Sequence, residues 1–108
     1  RGVDIAAPYG TPIKAVKSGV VTISEYGSSY GNYVVISHGD GTTSLYAHMS
    51  SRAASAGDVV SQGDVIGYVG STGNSTGNHL HLEIRVNGSR VDPEQYWPDL
   101  PFYRQYNT

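Results

Sequence analysis

The side chains best suited to chemistry in this sequence are its four histidines, His38, His48, His79 and His81. Two of them form a His-x-His pair, His79-Leu80-His81. Side chains two apart on a strand leave from the same face, so both rings can point into one volume. Neutral imidazole is the commonest metal ligand, and zinc accepts histidine nitrogen together with carboxylate oxygen. The plainer reading of the pair is two solvated histidines on an outer face. Asp4, in Arg1-Gly2-Val3-Asp4-Ile5-Ala6-Ala7-Pro8, is a second candidate ligand, although an aspartate beside glycine also reads as a turn residue. A catalytic zinc takes three protein ligands and keeps one position open. Asp4 and His81 would be two of the three, and the residue types alone identify no third.

These residues need strands to position them, and the sequence supplies strands throughout. His79 to Val86 (HLHLEIRV) alternates, with Leu80, Leu82, Ile84 and Val86 on an inward face and His79, His81, Glu83 and Arg85 on the opposite one. Glu83 and Arg85 there read as support for the ligand or as a simple ion pair. Gly19 to Tyr26, Asn32 to His38, Thr42 to His48 and Val65 to Val69 are dense in β-formers. Gly27 to Gly31 closes a hairpin between the first two of these, Gly39-Asp40-Gly41 turns into the third, and Asn87-Gly88 is a two-residue hairpin turn. Gly57-Asp58-Val59-Val60 is echoed by Gly63-Asp64-Val65-Ile66, a spacing that suits a small barrel or sandwich. Met49 to Ala56 is the expected place for a helical turn. Gly70 to Asn78 (GSTGNSTGN) is a polar loop with no core residue, either a connector or the lining of a site. No segment sustains a helical period, so the expected fold class is all-β.

Composition excludes several functions. The chain has 108 residues, 7 Lys plus Arg against 9 Asp plus Glu, and a net charge of −2. One domain fits that length. Nucleic-acid binding needs clustered basic residues, which are absent here. No apolar run approaches the roughly 18 residues of a membrane span. There is no cysteine, so disulfide and thiolate sites are ruled out. The start at Arg1 reads as a piece of a longer precursor with further domains. After Val91 the sequence turns Pro-broken and aromatic, an expected extended tail packing through Tyr96 and Trp97.

The ordered set Gly2-Val3-Asp4, Ala7-Pro8 with Gly10 to Ile13, Gly19-Val20-Val21, Gly31 to Ile36, Tyr46-Ala47-His48, Gly73 to His81 and Val91-Asp92-Pro93 resembles the lysostaphin/LytM-type zinc endopeptidases. The resemblance covers residues 1–98, leaving 99–108 as a C-terminal tail. It implies a β-sandwich-like core with a groove and little helix, a barrel-sandwich hybrid built on the duplicated hybrid motif of biotinyl and lipoyl carriers. The family's first motif is His-x-Gly-x-Asp, whose His and Asp are zinc ligands. Its Asp matches Asp4, and its His falls on the position immediately before Arg1. The second His of the His-x-His motif matches His81 as the remaining ligand. His79 and His48 match the catalytic histidines, whereas His38 matches no ligand and reads as structural. Asn74, Ser75, Thr76 and Asn78 are candidate groove contacts to a peptide, with turn chemistry as the competing role. Tyr9, Tyr26, Tyr30 and Tyr46 are candidates for groove walls or for cross-strand packing.

The function implied is zinc-dependent hydrolysis of peptide bonds in peptidoglycan, in a cross-bridge or a stem peptide, outside the cytoplasmic membrane. The alternative is a catalytically inactive relative that binds cell wall or activates partner hydrolases, the expectation if no histidine occupies the position before Arg1. A carrier role is disfavoured, since neither Lys14 nor Lys17 sits in a Met-Lys-Met-like turn.

Overall fold

A computed structural model describes residues 2–73, 75 and 77–92. Nine strands follow one another: β1 (Gly2–Ala6), β2 (Pro12–Lys14), β3 (Gly19–Gly27), β4 (Gly31–Ser37), β5 (Thr42–Arg52), β6 (Val59–Val60), β7 (Val65–Val69), β8 (His79–Val86) and β9 (Ser89–Val91). The described residues contain no helix, so none is long and apolar enough to cross a membrane. All pairings are antiparallel, in the order β1-β8-β5-β4-β3-β6, with β7 joining both β2 and β5 and with β9 closing on β8. The all-β expectation holds. The expected tail beyond residue 92, with Pro93, Tyr96 and Trp97, lies outside the described residues, as do Asn74 and Thr76.

Alternation makes the core. Leu80, Leu82 and Ile84 of β8, Val34 and Ile36 of β4, Tyr46 of β5 and Ile5 of β1 are fully buried on one face. Ile13 of β2 and Ile66 and Val69 of β7 belong to the same cluster, so the β2–β7 ribbon covers that face as a second layer. The opposite face carries the titratable side chains. Adjacent strands align them in rows: Asp4 beside His81 beside Ala47, then Glu83 beside Leu45 beside Val35.

The turns obey their residue types. Asn87 and Gly88 both take positive φ, 51° and 87°, as the tight hairpin between β8 and β9 requires. The Gly-Asp echo is two copies of one turn. In each, the aspartate carboxylate accepts from the backbone N–H three residues earlier, Ser55 for Asp58 and Ser61 for Asp64, both at 2.8 Å.

The expected helical turn over Met49 to Ala56 is not formed. β5 instead runs on to Arg52, because Met49, Ser51 and Arg52 pair with Val69, Tyr68 and Gly67 of β7. Ladder hydrogen bonds claim the backbone groups that a helix would have used. β5 thus pairs with β8 along its first half and with β7 along its second.

Candidate active site

His48 stands where β5 changes partner. Ala47 and His48 together oppose the single residue Tyr33 of β4, a bulge bounded by the pairs Val34–Tyr46 and Asn32–Met49. His48 takes φ of 62°, the left-handed region that a β-branched or bulky residue seldom occupies. The bulge turns its ring to the face that carries Asp4, His79 and His81. Its centroid lies 5.1 Å from that of His79 and 6.0 Å from that of His81.

The three rings are held by different partners, and the partners settle the tautomers. His48 Nδ1 lies 2.7 Å from the Thr72 carbonyl and His79 Nδ1 lies 2.9 Å from the Gly77 carbonyl. A carbonyl only accepts, so each Nδ1 carries a proton and Nε2 is the nitrogen left for other partners. His79 Nε2 comes within 3.6 Å of Asp4 Oδ1. His81 is gripped by carboxylates at both ends: Nδ1 is 2.7 Å from Asp4 Oδ1 and Nε2 is 2.9 Å from Glu83 Oε2.

Glu83 is only 1% exposed, and a carboxylate is tolerated there because donors surround it. Besides His81, it accepts from Tyr30 Oη at 2.8 Å and from Arg85 Nη2 at 3.2 Å. Burial pushes its pKa up, but the bonds from His81, Tyr30 and Arg85 outweigh that and hold the carboxyl below its ordinary value. Burial likewise raises the Tyr30 phenol, reinforced by Glu83. His48, 7% exposed, is pushed down chiefly by burial, with further lowering by His79 and His81 and opposition from Thr72 and Asp4. His48 is therefore neutral near pH 7, with Nε2 available as a proton acceptor.

The donor set fits a cation. Both His81 nitrogens face carboxylate oxygens, Asp4 Oδ1 at 2.7 Å and Glu83 Oε2 at 2.9 Å, and an imidazole nitrogen beside a carboxylate oxygen is a donor pair that zinc accepts. A carboxylate behind a ligating histidine is the usual support of a zinc site. Asp4 and His81 bring together one carboxylate and one imidazole, two donors where a zinc site takes three from protein. Among the described residues no group of three or more ligating side chains is arranged to hold a metal.

The remaining sequence expectations separate. Asp4, His48, His79 and His81 are brought together. Ser75 Oγ turns back on its own loop, donating to the Gly77 carbonyl at 2.9 Å and lying 3.4 Å from His79 Nδ1. Asn78 is exposed. Tyr46 is fully buried and walls nothing, because its hydroxyl accepts from Val16 N at 3.0 Å inside the core. Tyr9 and Tyr26 are exposed, whereas Tyr30 stacks on His81 with centroids 6.2 Å apart. His38 lies apart from the histidine cluster, bonded to Ser18 and Ser44. Thr72 is the residue that sequence reasoning misses. Its carbonyl holds His48, and its hydroxyl donates to Met49 O and accepts from Asn32 N. No residue-type signal marks a main-chain acceptor.

Residues 1–93 match the profile of Peptidase family M23. The chain is 51% identical over 92 residues to the DD-carboxypeptidase/endopeptidase Mpg of Neisseria meningitidis, covering 85% of this chain and 21% of that protein. It is 46% identical over 93 residues to the peptidoglycan DD-endopeptidase ShyC of Vibrio cholerae, covering 86% and 22%. The chain thus spans about a fifth of the length of these relatives. Among solved structures, the catalytic domain of lysostaphin from Staphylococcus simulans superposes with a TM-score of 0.84 at 34% identity, covering 90% of this chain and 77% of that one. A zinc-containing peptidase from Vibrio cholerae gives 0.81 at 34% identity, covering 83% and 28%. With a profile match across most of its length, and with strands and histidines arranged as described, the chain belongs to peptidase family M23.

Proposed function

We propose that this domain is a zinc-dependent endopeptidase that hydrolyses peptide bonds of peptidoglycan, in a cross-bridge or stem peptide, outside the cytoplasmic membrane. The observation that carries the reading is the convergence of Asp4 Oδ1 and His81 Nδ1 at 2.7 Å beside His48 and His79, whose Nδ1 atoms are each tied to a main-chain carbonyl. Asp4 and His81 would hold zinc, together with a histidine at the position preceding Arg1 that the family pattern supplies. Zinc in such a site polarises a carbonyl and makes water more acidic. His48 and His79 do the proton work. Their Nδ1 protons are tied to the Thr72 and Gly77 carbonyls, so each Nε2 can accept a proton as water attacks and return it to the departing amine. Glu83 keeps the His81 ring oriented through Nε2. The names of the peptidoglycan endopeptidase relatives and the zinc-containing structure support the substrate and metal.

The test uses the chain with a histidine joined directly before Arg1, compared with alanine there. The histidine form is expected to bind about one zinc and to cleave purified peptidoglycan. In it, His48→Ala or His79→Ala should keep the zinc and lower turnover by about 10²–10⁴-fold. Undiminished turnover in either variant removes that histidine from the chemistry. Zinc binding without any cleavage in the parent form removes the hydrolase reading and leaves a domain that only binds cell wall.

A further inference from the structure

Beyond the histidines, the same sheet face continues into a cavity of about 240 Å³. Ile23, Val35 and Leu45 form an apolar floor across β3, β4 and β5, and Tyr30, Tyr33 and Arg85 stand around it. Tyr30 belongs to both regions: it stacks on His81 and lines the cavity. Along β8, His81, Glu83 and Arg85 succeed one another on this face, so the Arg85 backbone stands about 13 Å from that of His81 at roughly 3.3 Å per residue, while its guanidinium leans back to Glu83, which also holds His81. The volume is below the roughly 300–1,000 Å³ of pockets for drug-sized ligands. It suits one amino-acid residue.

Arg85 is only partly committed. Nη2 donates to Glu83 Oε1 at 3.2 Å, whereas Nε is buried with no hydrogen-bond partner. Nη1 bonds to none of the described residues. A guanidinium carries five N–H donors, and a buried donor without an acceptor is costly. Glu83 cannot satisfy Arg85 fully, since it also accepts from His81 and Tyr30 and lies 3.5 Å from Arg90 Nε. The Tyr33 hydroxyl on the cavity wall is already engaged, donating to Glu25 at 2.8 Å.

We propose that this cavity is a substrate subsite for a residue bearing a free carboxylate, with Arg85 as the group that selects it. The apolar floor takes the methylene stem and the guanidinium takes the acid. This rests on the endopeptidase reading and deepens it, because the carboxylate then belongs to a residue roughly two to four positions from the cleaved bond at about 3.3 Å per residue. The domain would thereby distinguish peptides whose internal carboxyls are free from those in which they are amidated.

The probes are a synthetic peptidoglycan stem peptide with free internal carboxyls, the same peptide with those carboxyls amidated, and a third amidated only at its C-terminus. Affinities are measured by calorimetry on the zinc-free 108-residue chain, so that binding is read without turnover. The free and the C-terminally amidated peptides are expected to bind about tenfold or more tighter than the internally amidated one, as a charge-assisted contact to arginine allows. Arg85→Gln should erase that ratio and Arg85→Lys should restore part of it. If the variant merely disturbed Glu83 and His81, both peptides would weaken together with the ratio intact. That result overturns the proposal, as does equal binding of free and amidated peptides by the unaltered chain, or discrimination only by the C-terminal carboxyl. Discrimination without cleavage in the histidine-extended chain would sink the hydrolase reading and leave the subsite. Cleavage without discrimination would do the reverse.

Discussion

Thr72 reaches His48 through its main-chain carbonyl, and that carbonyl is kept in place by the threonine's own hydroxyl, bonded to Met49 O and Asn32 N. Thr72→Val keeps the shape and deletes both hydroxyl bonds, leaving the Asn32 N–H short of an acceptor. Such a loss costs about 1–3 kcal/mol. The His48 ring then loses its fixed aim, so turnover should fall by about tenfold or more while zinc content stays the same. Glu83 acts through a different ring. Glu83→Gln replaces the acceptor of the His81 Nε2 proton by a weaker, uncharged one. Removing such a support typically lowers metal affinity about 10–100-fold. Competition with a chelator would measure that loss. The two variants must therefore separate, one losing turnover with its metal retained and the other losing metal first. If Glu83→Gln held zinc as tightly as the unaltered protein, His81 would not depend on Glu83. Of these residues, Asp4, His48, His79 and His81 are legible in the sequence because imidazole and carboxylate are side chains whose type alone marks them for metal or proton chemistry. Thr72 is not, because it works through a carbonyl that every residue possesses.

Two backbone approaches hold the polar loop against the β3–β4 hairpin. Gly73 takes φ of 75°, and a Cβ there would lie 2.2 Å from Gly31 N and 2.7 Å from Ser29 O. A Cβ on Gly31, whose φ is 67°, would likewise collide with the Thr72 main chain. The loop therefore docks backbone to backbone, which is how Thr72 comes to sit under His48. Gly73→Ala adds both left-handed strain and a clash with main-chain atoms. The loop must lift, carrying the Thr72 carbonyl off His48 Nδ1. A displacement near 1 Å at a positioning contact can cost about 10²-fold in rate. The expected outcome is a fall of that size in kcat/KM with a far smaller change in the denaturation midpoint, since Gly73 contributes no core side chain. Equal activity in the variant would show that the loop does not set the histidine. At this scale the sequence is informative about strands and turns, because alternation, Asn87-Gly88 and the Gly-Asp echo act locally. It misleads at Met49 to Ala56, where the pairing partner of Met49 to Arg52 lies in β7 and no local pattern announces it. The bulge at His48 is hidden for the same reason, being a mismatch of count between two strands.

Across the whole molecule, a directed chain of hydrogen bonds ties the layers together and depends on the proton state of His38. Val16 N donates to Tyr46 Oη at 3.0 Å, Tyr46 Oη lies 2.7 Å from Ser44 Oγ, and Ser44 Oγ lies 2.9 Å from His38 Nε2. His38 Nδ1 donates to the Ser18 carbonyl at 2.8 Å. With His38 neutral, every proton has an acceptor: Tyr46 donates to Ser44 and Ser44 donates to His38. Protonating Nε2 reverses the run and leaves the Tyr46 proton facing the Val16 N–H deep in the core. Burial already pushes the His38 pKa down, aided by Lys17 and opposed by the Ser18 carbonyl and Asp40. A histidine whose folded pKa lies below its unfolded value of about 6.5 binds fewer protons in the folded state. Its contribution to stability is thus complete above about pH 6.5 and is lost as pH falls below that. His48, shifted the same way by burial, adds to the effect. In zinc-free protein the urea midpoint should therefore drop between pH 7.5 and 5.5. His38→Gln, which cannot titrate, should flatten that drop without abolishing it, because His48 still titrates. An unchanged drop in His38→Gln would mean that the chain from Val16 to Ser18 tolerates the extra proton, and that the pH sensitivity of the fold resides in the histidine cluster alone.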